Sequence, residues 1–411
     1  MEYWESLEEK AMSDILKIPE KTGRKSILVV CPVFEQRAAK LVRSFESMGY
    51  HVLVFAFGRH AHISTQTLPE SIEFLDELRF TFGAQVLFDH GLLRSFTRQL
   101  RRVRRRNLSI DMVLFRDLPI FVSCSWNTAS LLPGVKQVVD IADNHEFVAR
   151  DIYRTYDGRR YGLWLIVLLG YRFLRTRNAL AIVVCEENKK RISRRYNIDN
   201  KKIATVENVP IREKSNVEFV QCYKQRTIHE KTLVYTGLID HRIRDFLPVL
   251  QAIQKSGWKM HFYVTNFGSK PFDILKQMVK DLLLEDVVEL KPPFPFEESL
   301  SILRGYAFGV VPHRNILTVR YTIPNKIYDY AAVGLPVLTS NVRILREIVD
   351  ELSIGSVYRC AEDLSIFLSK HSFNNIVQEY GRDLVDHRLN FSLQCQAAFD
   401  DLGLTAHKNR K

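Results

Sequence analysis

Short, unbroken apolar runs that stop abruptly at a proline, a glycine or an acid set the tightest limit on what this chain can fold into. Ser26-Ile27-Leu28-Val29-Val30-Cys31-Pro32 is the first, and His51-Val52-Leu53-Val54-Phe55-Ala56 follows. Runs of this length and make-up read as strands buried in a sheet. Between them, Arg37 to Met48 is helical and Gly49 stops the helix. Strand, helix, strand is the unit of a parallel sheet. Loops at the carboxyl ends of such strands form a ligand crevice, which places Glu35 and Arg37 there. Arg37 either holds a phosphate or caps surface structure. No G-x-G-x-x-G follows the first strand, so the usual dinucleotide fingerprint is missing.

The alternation persists. Asp111 to Pro119, Gln137 to His145, Ala179 to Cys185 and Ile203 to Pro210 supply further strand-and-loop units. Ile211 to Lys231 is polar without periodicity and reads as a linker. Thr232-Gly237, His261-Thr265, Val287-Phe294, Ala307-His313 and Val337-Ser340 then begin a second sheet. A length of 411 residues with 46% hydrophobic content suits two cores. The expected organisation is α/β with two Rossmann-like domains, 1–210 and 232–385, joined by a linker at 211–231. Residues 386–411 form a C-terminal helix or tail, and residues 1–22 an amphipathic helix. The six cysteines carry no C-x-x-C pair, which favours reduced thiols over disulfides or a zinc site.

A formal charge of +12 asks for an acidic partner. From Leu92 to Arg106, Leu92, Leu93, Phe96, Leu100 and Val103 recur at helical spacing while seven arginines fill the rest; no acid lies between Asp89 and Asp111. A basic amphipathic helix suits an anionic lipid surface, with Phe96, Arg101, Arg102, Arg104 and Arg105 facing it. An ordinary core helix with a solvated face, or a nucleic-acid contact, fits the same pattern. Tyr161 to Arg177, with Trp164 in an apolar run flanked by arginines, is again either an interface helix or a core helix. That run is too short to span a bilayer. The acidic Met1-Glu2-Tyr3-Trp4-Glu5 start is not a secretion signal. A cytoplasmic protein, peripheral on the inner membrane face, is expected.

The densest chemistry lies in Thr322-Ile323-Pro324-Asn325-Lys326-Ile327-Tyr328-Asp329-Tyr330-Ala331-Ala332-Val333-Gly334-Leu335-Pro336-Val337. It reads as a turn, a helix opening at Pro324, a glycine stop and a strand. Lys326 in the first helical turn suits phosphate, and Asp329 is close enough along the helix to face the same ligand. This stretch resembles, without a gap, the nucleotide-sugar signature P-N-K-I/L-F/Y-E-Y-x-A-x-G-x-P-V of GT-B glycosyltransferases of the group 1 (family 4) kind, which serve bacterial polysaccharide synthesis. The likeness extends to D-x-I/V-x-x-R-D-L-P at Asp111 to Pro119, and to a strand ending in Asp140, Asp143, Asn144, His145 and Glu146.

The resemblance implies a GT-B fold: two Rossmann-like domains across a cleft, with a C-terminal helix crossing back to the first. It implies a donor site of Gly237, Arg242, Arg244, Phe294, Thr322, Ile323, Asn325, Lys326 and Asp329, gripping a UDP or GDP sugar with no permanently bound cofactor. Which of Arg242 and Arg244 grips the diphosphate stays open. Asp143 or Asp140 would be the base of an inverting reaction, with His145 orienting the sugar; Glu35, Arg37, Arg116 and Asn144 would face a lipid-linked or oligosaccharide acceptor. The chain departs from the family at Leu247, where a lysine is usual, and at Tyr321, where E-x(7)-E needs an acid. No D-x-D triplet is present, so metal-independent transfer is expected. Two other classes compete: a nucleotide-sugar epimerase on the same fold, and a basic nucleic-acid-binding regulatory protein. The arginine helix argues against the latter by interleaving Leu, Phe and Val rather than base-reading polar residues, so no nucleic acid is expected.

Overall fold

The computed structural model describes residues 25–32, 35–56, 72–77, 90–105, 108–147, 158–177, 179–211, 231–294, 298, 302–370 and 390–404. The helix expected over 1–22 and nearly all of the expected linker lie outside these residues. In chain order the first half contains β1 (Ser26–Cys31), α1 (Gln36–Ser47), β2 (His51–Ala56), β3 (Ile72–Glu77), α2 (His90–Arg105), β4 (Met112–Arg116), α3 (Leu118–Leu131), β5 (Lys136–Ile141), α4 (Gly158–Thr176), β6 (Ala179–Val183), α5 (Glu186–Tyr196) and β7 (Ile203–Thr205). Its seven strands form one parallel sheet in the order β3-β2-β1-β4-β5-β6-β7.

The second half contains β8 (Thr232–Gly237), α6 (Leu247–Ser256), β9 (Lys259–Val264), α7 (Lys270–Asp281), β10 (Val288–Lys291), β11 (Phe308–Val311), α8 (Leu317–Arg320), α9 (Asn325–Ala332), β12 (Val337–Ser340), α10 (Arg343–Leu352), β13 (Gly355–Tyr358) and α11 (Ala361–Lys370). Its six strands are also parallel, in the order β10-β9-β8-β11-β12-β13.

The unbroken apolar runs have a direct structural cause. In β1, Ile27, Val29 and Cys31 point to one face and pack with Leu41, Val42 and Phe45 of α1. Leu28 and Val30 point to the other, with Phe96, Leu100 and Val103 of α2. Each face of the sheet has its own helical layer, so no position in the strand is spared burial.

A last helix, α12 (Phe391–Asp401), lies on α1. Phe399 meets Phe45 with ring centroids 5.0 Å apart, and the Phe391 N–H donates to Pro210 O at 3.1 Å. Phe391, Cys395, Ala398 and Phe399 belong to a core cluster that also contains Val29 of the first sheet and Val311 of the second.

Candidate active site

Open parallel sheets bind ligands where the strand order reverses, beyond the carboxyl ends of the strands. In the second sheet that point lies between β8 and β11. β8 ends at Gly237 with φ of 116°, where a Cβ would stand 3.4 Å from Lys326 Nζ. A side chain here would be strained in backbone and would crowd the lysine. The loop after β8 sends its two arginines in different directions. Arg242 turns outward, its Nε and Nη2 donating to the Asp240 carboxylate at 2.9 and 2.8 Å. Arg244 turns inward, where its buried Nε and Nη1 have no hydrogen-bond partner.

Lys326, in the first turn of α9, is buried; its Nζ lies 3.9 Å from the Tyr235 ring centroid and makes no hydrogen bond. Burial, reinforced by the Arg244 charge, pushes the ammonium pKa well below its usual value, against the pull of Asp329. Asp329 is half-buried, and burial raises its carboxyl despite Lys40 and Lys326 nearby. Asn325 is exposed at the helix start and accepts from Asn208 Nδ2. Ile323 is buried in the core, so only its backbone remains for a ligand. Phe294 stands edge-on to Tyr263 with centroids 4.7 Å apart. Cations with unmade hydrogen bonds beside a helix N-terminus make a preformed anion cradle.

The first sheet reverses between β1 and β4, and a second polar group gathers there. Arg116, buried at the end of β4, donates to Glu35 Oε1 from Nε at 3.0 Å and meets Asp117 Oδ1 through Nη1 at 2.9 Å. Asp117 also faces His145 Nε2 at 3.5 Å, an ion-pair distance too long for a strong hydrogen bond. Burial would raise the Asp117 carboxyl, but Arg116 and His145 outweigh it and lower the pKa to about 2. Burial would lower the His145 imidazole, but Asp117 and Asp143 outweigh it, and its pKa is raised. Asp143 is exposed to solvent; partial desolvation, then the Asp117 charge, raise its carboxyl. Asp117 was not among the expected site residues, although it stands in the R-D-L-P stretch.

Two expectations are corrected here. Asp140 is fully buried and accepts from Arg37 Nε at 2.9 Å and Nη2 at 2.7 Å. Arg37 is itself 2% exposed and also donates to Val206 O. This pair is sealed from solvent, so Asp140 has no path to a reacting proton and Arg37 none to an acceptor.

Asn144 bridges the domains. Its Nδ2 donates to Tyr321 O at 3.1 Å and to Thr322 Oγ1 at 3.3 Å, while Arg191 donates to its Oδ1 at 3.0 Å. The Tyr321 ring stacks on Phe147 at 5.3 Å, with Arg191 over both rings. Tyr321 thus contributes to the seam between domains.

The basic face differs from expectation in one respect. Phe96 is fully buried against Phe55, 5.4 Å between centroids, so it belongs to the core and not to a membrane contact. Arg101, Arg102, Arg104 and Arg105 are exposed, and among the described residues none of the four forms an ion pair. Trp164 is half exposed on α4, and Trp126 of α3 is 67% exposed beneath Arg177, 4.9 Å from its ring. Among the described residues no helix is long and apolar enough to cross a membrane.

No family model matches the sequence, and no curated protein matches it. Solved structures do match in fold. Sucrose-phosphate synthase from Thermosynechococcus elongatus superposes with a TM-score of 0.65 at 12% identity, over 93% of this chain and 100% of that one. Anabaena HepE in complex with UDP gives 0.57 at 12% identity, over 92% and 95%. UDP-GlcNAc 2-epimerase from Methanocaldococcus jannaschii gives 0.50 at 11% identity, over 90% and 98%. The architecture shared with the glycosyltransferases among them is the GT-B fold: two Rossmann-like domains with a C-terminal helix returned to the first.

Proposed function

We propose that the protein is a glycosyltransferase that moves a sugar from a nucleoside-diphosphate donor, of the UDP or GDP type, to a saccharide acceptor. The observation that carries this reading is the anion cradle at the β8/β11 switch point, where Lys326 and Arg244 present buried, unpartnered nitrogens. In transfer, the bond between the anomeric carbon and the diphosphate oxygen breaks as the acceptor oxygen bonds to that carbon. Negative charge grows on the leaving diphosphate, and Lys326, Arg244 and the N–H groups opening α9 stabilise it without a metal ion. Asp329 accepts hydrogen bonds from ribose hydroxyls, and Phe294 lies against the base. If the reaction inverts, the acceptor proton passes to Asp143, whose raised pKa makes it a stronger base than an ordinary carboxylate. If it retains, the leaving phosphate takes that proton and His145 only binds the sugar.

The acceptor is assigned to the first domain, where Glu35 stands 38% exposed beside Arg116; Asn144, expected on the same side, is buried with its amide bonded to Tyr321, Thr322 and Arg191 and has no path to an acceptor. A lipid-linked acceptor of cell-surface polysaccharide synthesis, met at the inner membrane face, fits the exposed arginines of α2 and the exposed Trp164. Lys326→Ala should lower nucleoside-diphosphate affinity at least tenfold by calorimetry, since it removes a charge-assisted contact of about 1.5–3 kcal/mol; unchanged affinity removes the donor-site assignment. An epimerase would convert its donor with no acceptor present, so product analysis without acceptor separates that reading.

A further inference from the structure

The loops that follow β8 and β11 are zipped together. Arg314 N–H donates to Ile243 O at 2.7 Å and Asp245 N–H to Pro312 O at 2.7 Å, which sets Arg244 and His313 opposite each other as an antiparallel bridge pair. His313 N–H donates to Val311 O at 3.0 Å, and Ser340 Oγ donates to the His313 carbonyl. The backbone carrying the imidazole is therefore held from β11 and from β12.

The imidazole is buried, 5% exposed, and its Nδ1 has no hydrogen-bond partner. Arg244 Nε and Nη1 and Lys326 Nζ share that condition. A buried polar atom left without a partner is costly. Several on three adjacent side chains point to a ligand that satisfies them together. The charges facing the imidazole are Arg244, across the loop bridge, and Lys326, from α9. Asp329 lies farther along α9 with Lys40 of α1 beside it. The nearby acids on the β8 loop are otherwise engaged: Asp240 with Arg242, and Asp245 with Arg314 at 3.5 Å.

We propose that His313 is a third phosphate-binding residue of this cradle, meeting a nucleoside diphosphate through Nδ1 beside Arg244 and Lys326. The assignment rests on the donor-site reading above. A phosphate oxygen only accepts, so Nδ1 must carry a proton in the complex, as the neutral Nδ1–H tautomer or as imidazolium. In the empty cradle, burial and the Arg244 and Lys326 charges hold the imidazole neutral, and Lys326 is likewise depressed. A bound diphosphate reverses the local field and favours the protonated form of both groups. Binding then draws protons from solvent, and affinity falls as pH rises through the bound-state pKa values.

Calorimetric titration of the full chain with UDP, GDP and ADP, in two non-phosphate buffers of different ionisation heat, reads affinity and proton uptake together. The wild type should take up protons with whichever nucleotide binds. His313→Leu should weaken binding at least tenfold. His313→Asn, whose amide reaches where Nδ1 stood but does not titrate, should restore most of the affinity with less proton uptake. Unchanged affinity in His313→Leu, alongside a loss in Lys326→Ala, overturns the His313 role and leaves the donor site standing. A wild type that binds none of the three overturns both. Should His313→Leu fail to fold, His313→Asn decides: proton uptake equal to wild type overturns the proposal.

Discussion

Asp117 has φ of 76° and ψ of 153°, a region that residues with a Cβ seldom enter. Such conformations cost on the order of 1–3 kcal/mol and persist where surrounding contacts impose them. Here the imposing contacts are visible: the Asp117 N–H donates to Asp140 O at 2.8 Å, and its carboxylate meets Arg116 and His145. The strain aims an acid at the imidazole. Replacing Asp117 by Asn should lower the His145 titration midpoint, followed by NMR of the imidazole protons. The stability linked to this pair follows the same sign. Because the folded His145 pKa is raised, the pair's contribution is full below the ordinary imidazole value and lost as pH rises through the folded one. Melting of Asp117→Asn against wild type should therefore show its largest deficit in mild acid, above the ordinary carboxylate range and below the ordinary imidazole one, and a shrinking deficit both toward alkaline pH and toward strong acid. A deficit independent of pH would remove His145 from the account.

At the scale of elements, α9 is held by how closely it approaches β11. A Cβ at Gly309 would come within 2.3 Å of the Tyr330 ring, and the Tyr330 hydroxyl accepts from the Thr236 N–H at 3.1 Å. The helix that carries Lys326 and Asp329 is thus set against β11 by a missing side chain and against β8 by a hydrogen bond. Gly309→Ala should destabilise the protein by about 1–3 kcal/mol through overpacking, read by denaturant unfolding, and should weaken nucleotide binding because α9 must shift. Wild-type stability would show that the ring has room to yield. The opening of α9 was legible in the sequence, since Pro324 before Asn325 and Gly334 after the last turn are local signals. Its register on β11 was not, because a contact between positions 309 and 330 leaves no trace in local propensity.

Across the whole molecule, the described surface of α2 is basic on one side and sealed into the core on the other. The apolar spacing that suggested a lipid-facing stripe is used up by Phe55 and the first sheet, so what remains outside is charge, with Trp126, Tyr161, Trp164 and Leu165 exposed on α3 and α4. If this face meets a membrane, electrostatics must supply most of the attraction. Replacing Arg101, Arg102, Arg104 and Arg105 with serine should remove about 1 kcal/mol per residue and release the protein from anionic vesicles in a sedimentation assay. A wild type that never sediments with such vesicles ends the membrane reading.

Local pattern marked most strands of the two sheets, though not the edge strands β3 and β13, together with the Pro-Asn-Lys helix, because buried strands and helix boundaries are written in runs of neighbouring residues. Tertiary structure decided which charges are available. It locked Asp140 and Arg37 into a buried pair, turned Arg242 outward and Arg244 inward, brought Asp117 to His145, and set His313 beside Lys326. Each of these outcomes depends on residues brought together from different strands, and on burial, which changes what an ionisable group can do without changing its letter in the chain.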